Sequence, residues 1–252
     1  MDKSELQGRA TLARRDKLGT DEFSPIDLFS LAYAIDGLTI VLYPMGDHFS
    51  GLCMKGKEHS VIAINSGMTY GRQRFSLAHE LYHYWHDKDM TYLCLRTFDN
   101  KTQVEKDADQ FASYLLIPPQ ALSAQIAKLR ANNGQRNLKI SDIIRLEQYF
   151  QVSHQAMLCR LGSEKIISKS EFEMLQKMGV MDESIRLGYS DQLYRPIPSE
   201  NGYKTYGSYI ALTEKAHEKN LISDGKREEL LLDAFRPDLV YRDVCEEDDF
   251  LD

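Results

Sequence analysis

The sequence predicts an α+β fold, and three observations lead to it. Between residues 38 and 65, short runs of β-branched, apolar and aromatic residues are broken by Gly, Asp and Lys turns. From Arg72 to His86 the pattern becomes helical, dense in apolar side chains yet carrying two histidines four positions apart. Beyond residue 141 the clearest periodic stretches are helical. A small antiparallel sheet, a central helix behind it and a helical C-terminal part account for all three.

Taken in order, residues 1–24 are polar and charged and read as an N-terminal arm, with Arg14, Arg15 and Lys17 as a basic group on a solvated, frayed end. Ser24 and Pro25 suit the cap and first turn of a helix reaching about Tyr33, whose apolar face is Ile26, Phe29, Leu31 and Ala32. Strands follow at 38–43, 49–54 and 60–65. Residues 61–65 are the candidate open edge, where an extended peptide can pair through its backbone. The helix ending at His86 is closed by Asp87, Lys88 and Asp89, which lack an apolar period and read as a solvated loop.

After Glu105, the residues Ala108, Phe111, Ala112 and Leu115 recur with helical spacing until Pro118 and Pro119 end the helix. Another helical stretch, 121–129, breaks at Asn132, Asn133 and Gly134. Residues 141–150 and 152–161 resemble the two helices of a helix-turn-helix. Arg160 is the one fixed positive charge on the second of them, so a packed helical hairpin is the favoured reading over a DNA reader. Residues 170–178 and 213–235 are periodic helices, and 189–209, rich in Tyr, Pro, Gly and Ser, is an irregular or briefly extended connection. The organisation that results is an arm at 1–24, a core at 25–130, the helix-turn-helix-like segment at 131–162, and a mainly helical extension at 163–252 that ends in an acidic tail.

Chemistry resides in His79-Glu80-x-x-His83. Helical residues four apart lie about 40° apart around the axis and roughly 6 Å apart along it, so both imidazoles reach one ion, and zinc is the expected one. Glu80 cannot easily share that coordination, which leaves its carboxylate to take a proton from an attacking water, the arrangement of a hydrolase and most often a peptidase. A tetrahedral catalytic site needs a third protein ligand. Glu105 and Asp109 share a face of the following helix: Glu105 is assigned to the metal, and Asp109 to a hydrogen bond with the second ring nitrogen of a ligating histidine. Asp107 suits the helix dipole instead. His86 lies about 10 Å along the axis from His79, too far to share an ion in a straight helix, and reads as a second-layer or surface residue. Tyr70, Tyr92 and Tyr114 are candidate oxyanion donors among fourteen tyrosines.

These two blocks, Arg-Phe-Ser-Leu-Ala-His-Glu-x-x-His at 74–83 and Glu-x-Asp-Ala-Asp-x-Phe-Ala-x-x-Leu-Leu-Ile-Pro at 105–118, resemble the ImmA/IrrE family of metallopeptidases in order and spacing, over roughly residues 25–162. The resemblance implies a zincin-like core of gluzincin type, with His79, His83 and Glu105 holding the metal and Glu80 as catalytic base. It further implies a helix-turn-helix transcriptional repressor as substrate, cleaved to derepress mobile-element or stress genes. Four positions depart from the family pattern: Tyr82 replaces a common glycine and is expected to narrow the space around the metal helix, while Asp107, Asp109 and Ile117 stand where Glu, Asn and Met are usual.

Composition agrees with a cytoplasmic globular protein. The 252 residues can bury a sizeable core, and neither a signal-peptide core nor a membrane-length apolar run is present. Four cysteines show no metal spacing and read as reduced thiols. The net charge of -7 argues against direct nucleic-acid binding. Three functions compete: a zinc endopeptidase, with manganese as the other ion the ligands accept; a non-proteolytic regulator that binds a repressor and carries a structural metal; and a DNA-binding protein using residues 141–161.

Overall fold

The computed structural model describes residues 1–87, 91–95, 102–133, 137–198 and 202–241, with the backbone alone at 91–95 and 132–133. Lys88 and Asp89, the Tyr92 and Cys94 side chains, Gly134, Cys245 and the acidic tail fall outside the described residues. No helix among the described residues is long and apolar enough to cross a membrane.

Three strands form where the alternating runs place them: β1 Leu38–Tyr43, β2 Phe49–Lys55 and β3 Ser60–Asn65. Two more, β4 Thr91–Leu95 and β5 Lys204–Gly207, complete a sheet of order β4-β2-β3-β1-β5. The sheet is mixed and not purely antiparallel, because β1 and β3 run parallel, Ile40 opposite Ile62, while the other three pairings are antiparallel. Residues 61–65 are therefore not an edge: β3 is central, with Ile62 and Ile64 fully buried, and the edges are β4 and β5. Two short strands from later in the chain cover the backbone groups that a three-stranded meander would leave open.

The N-terminal segment is no frayed arm. Helix α1 Lys3–Leu12 is capped by Asp2, buries Leu6 and Ala10 against α4 Gln103–Leu116, and continues in a π-helical turn, Ala13–Lys17. Arg14, at 1% exposure, donates to the carbonyls of Asp21 at 2.6 Å, Leu115 at 2.6 Å and Ser24 at 2.5 Å. An apolar stripe of small period lies hidden in a polar sequence. Helix α2 Leu28–Tyr33 starts later than Ser24 suggests, because the Asp27 carboxylate is its cap, accepting from Ser30.

Helix α3 Tyr70–His86 crosses β2 and β3 and packs along α4, and α5 Pro119–Asn133 follows the prolines. Next come α6 Ile140–Phe150 and α7 His154–Ser163, joined through Gln151 in the left-handed region, φ 54°. Gly71 of α3 meets this turn so closely that a Cβ there would lie 2.7 Å from the Ser153 nitrogen. The C-terminal part comprises α8 Lys169–Leu175, α9 Val180–Arg186, α10 Ser208–Glu218, α11 Asp224–Asp233 and α12 Pro237–Val240. It is not merely appended. β5 pairs with β1, Thr69 bridges Pro196, and the Tyr70 N–H donates to the Arg195 carbonyl at 2.8 Å, so this region closes the sheet and holds the start of α3.

Candidate metal centre

The polar side chains of α3 anchor it before any chemistry begins. Gln73 Nε2 donates to the Ser66 and Met68 carbonyls at 3.0 and 2.6 Å, and the buried Arg74 donates to the Ile26 and Gln151 carbonyls at 2.6 and 2.8 Å. The next turns are buried on nearly every side: Leu77, Ala78, Glu80, Leu81 and His83 are at 0% exposure, and His79 at 5%. Helix α4 starts under a Thr102 cap whose hydroxyl accepts from the Glu105 N–H at 3.3 Å, which sets Glu105 in the first turn, where the helix dipole favours a carboxylate. Small residues at Ala78, Ala108 and Ala112, all fully buried, let the two helices approach.

The approach brings His79, His83 and Glu105 together, with one donor atom of each within 4.8 Å of the others. The two imidazole Nε2 atoms are 3.1 Å apart, and the Glu105 carboxylate lies 3.2 Å from His79 Nε2 and 3.4 Å from His83 Nε2. Ligand atoms at the corners of a zinc tetrahedron are separated by about 3.4 Å when each bond is about 2.1 Å, so the donor set fits such an ion. The far nitrogens are also held. His79 Nδ1 lies 2.9 Å from Asp109 Oδ1, and His83 Nδ1 contacts the Asp87 carboxylate. With a carboxylate accepting from each Nδ1–H, both Nε2 lone pairs face the same point.

The structure places Asp109, on the face of α4 shared with Glu105, against the second ring nitrogen of His79. Asp87 is the residue missed: read as part of a solvated loop, it is the C-cap of α3 and the partner of His83, four positions earlier. Its spacing was the available signal. The electrostatics follow the geometry. Burial pushes the His79 imidazolium toward losing its proton, but the Asp109 and Glu105 carboxylates outweigh it and lift the pKa to about 9. Burial would raise the Glu105 carboxyl, and the two histidines outweigh that and hold it well below the usual carboxylate range. A pocket that draws a proton this strongly is built to hold positive charge.

The Glu80 carboxylate lies against the sheet and adds its negative charge to the surroundings of His79. The Gly51 backbone of β2 lies against its carboxylate, so that a Cβ at residue 51 would stand 2.6 Å from Oε1. Tyr82 is 2% exposed and fills the space between α3 and α4, its ring 5.4 Å from Phe111 and 5.8 Å from His83. His86 packs its ring on Tyr82 and Phe111, at 5.1 and 5.5 Å. Tyr70 stacks on Phe29, and Tyr114 lies beneath the Arg160 guanidinium at 4.3 Å. A cavity of about 260 Å³ opens beside His79 and Asp109.

Residues 43–162 match the family described as the IrrE N-terminal-like domain. The match begins later than the resemblance read from the sequence and ends at the same point. Over 57 residues the chain is 44% identical to the radiation response metalloprotease IrrE of Deinococcus deserti, a stretch that covers 23% of this chain and 19% of that protein's length.

Proposed function

Because residues 43–162 belong to the ImmA/IrrE family of metallopeptidases, we propose that this protein is a zinc-dependent endopeptidase of gluzincin type that cleaves a helix-turn-helix transcriptional repressor and so derepresses mobile-element or stress-response genes. The observation that carries the reading is the joint geometry of His79, His83 and Glu105, each imidazole backed by its own carboxylate, with Glu80 buried one position from a ligand. The name of the Deinococcus relative, a radiation response protein, supports a link to stress. On this reading the protein acts in the cytoplasm, where such a repressor works.

His79, His83 and Glu105 would hold the ion, zinc or manganese, which supplies Lewis acidity to polarise the scissile carbonyl and acidify water. Asp109 and Asp87 keep the two imidazoles in the tautomer that presents Nε2. Glu80 accepts the proton of the attacking water on its carboxylate and returns it to the leaving amine nitrogen as the peptide bond breaks. The Gly51 backbone fixes where that carboxylate can stand.

Metal content and cleavage test this together. Wild type should carry one equivalent of zinc. His79→Ala and Glu105→Ala should lose it, and Asp87→Ala should bind it about 10–100-fold more weakly. Glu80→Gln should keep the metal while peptide cleavage falls by about 10²–10⁴-fold. Derepression that survives Glu80→Gln would instead support the non-proteolytic regulator. The DNA-binding alternative is disfavoured by Arg160, which is 1% exposed and donates to Glu164 at 2.8 Å.

A further inference from the structure

The 260 Å³ cavity beside the metal centre is bounded by helices that the hydrolytic chemistry does not itself require. Phe75 lies one helical turn from His79 on α3, and Gln110 and Ser113 continue the face of α4 that carries Asp109. The third wall is α7, through Ala156 and Cys159. This helix is two-faced: Met157, Leu158 and Leu161 are at 0% exposure in the core, while Gln155, Ala156, Cys159 and Ser163 border the cavity. The segment that reads as the second helix of a helix-turn-helix therefore has its accessible face turned to the space next to a ligating histidine.

We propose that this cavity is the specificity pocket for one of the two residues flanking the scissile bond, and that it takes a large apolar side chain such as Leu, Met or Phe. This rests on the peptidase reading above. Asp109 belongs both to the cavity wall and to the hydrogen bond on His79, so a peptide whose scissile carbonyl lies at the metal ligands has a neighbouring side chain at the cavity mouth. Size agrees, since a cavity of about 150 Å³ accommodates benzene. The chemistry of the wall agrees as well: Phe75, Met68, Ala156 and Cys159 offer hydrocarbon and sulfur surface, and the hydroxyls and amides among them carry no charge to attract an ionised side chain. Arg72 and Lys106 also border the cavity and define the competing preference, an acidic residue.

The test uses the zinc-loaded full chain and a peptide series carrying Gly, Leu, Phe or Glu at each flanking position. With wild type, kcat/KM should rise at least about 10-fold from Gly to Leu or Phe at one position. Binding of the same peptides to Glu80→Gln should follow the same order, which reads the cavity whether or not a bond is broken. Ala156→Phe fills the cavity and should reverse the order; Cys159→Phe does so from the next turn of α7, and zinc content establishes that each variant has folded. Preference for Glu, or an unchanged order in both filled variants, overturns the proposal while leaving the peptidase reading intact. Peptides that bind in the expected order but are never cleaved would instead count against the peptidase reading.

Discussion

Gly51 and Glu80 show how finely a single residue is set. The carboxylate of Glu80 rests against a backbone with no room for a methyl group, since a Cβ at residue 51 would also lie 3.0 Å from Glu80 Cγ. Gly51→Ala must therefore shift either the Glu80 carboxylate or the strand, and with Glu80 in the proposed role of base a displacement near 1 Å costs on the order of 10²-fold in rate. We expect kcat for peptide cleavage to fall by about that factor with zinc content unchanged; equal loss of zinc would mean that the strand carries the ligands with it. Nothing in the sequence announces this contact, because it joins a strand and a helix that share no local pattern. His79, Glu80 and His83 were legible because one helix fixes their spacing, and Glu105 and Asp109 because a second helix does the same. Asp87 was hidden by its place at the helix end, where charged residues ordinarily only face water.

Among the elements, the α6–α7 pair carries a buried polar link that periodicity could not show. Glu147, at 0% exposure, accepts from His154 Nδ1 at 2.5 Å and from the Tyr194 hydroxyl at 2.7 Å, while His154 Nε2 reaches the Leu175 carbonyl at 3.0 Å. Both ring nitrogens thus face acceptors, which only the protonated imidazole satisfies. Burial lowers the His154 pKa, but Glu147 outweighs it and the value lies above the ordinary 6.5. A raised value in the folded state means that the stabilisation is complete below pH 6.5 and is lost as pH rises through the folded value. The melting temperature of wild type should therefore fall by about 2–4 °C across that rise for each kcal/mol lost, and His154→Gln should flatten the dependence. Helices and strands with a strong period were readable one by one. Their pairing was not, because a parallel β1–β3 contact and a helical Leu6–Ala10 stripe within a polar segment depend on partners distant in the chain.

For the molecule as a whole, the C-terminal part is structural to the region of residues 43–162. Arg195 and Pro196 hold the start of α3, and Lys204–Gly207 supplies β5 to β1. A chain truncated after Gly162, where the family match ends, should melt about 10 °C below the full chain and be digested faster at low protease, as expected for the loss of several kcal/mol. Equal stability would mean that the extension is a passenger. The four residues of β5 were too short to stand out within a Tyr-, Pro- and Gly-rich stretch. Their pairing also imposes an order in time. Thr39 meets Gly207 and Leu42 meets Lys204, so one flank of β1 waits through most of synthesis, on the order of ten seconds at ribosomal elongation rates. During that interval the nascent chain presents an unpaired strand edge, the kind of surface on which another chain can pair.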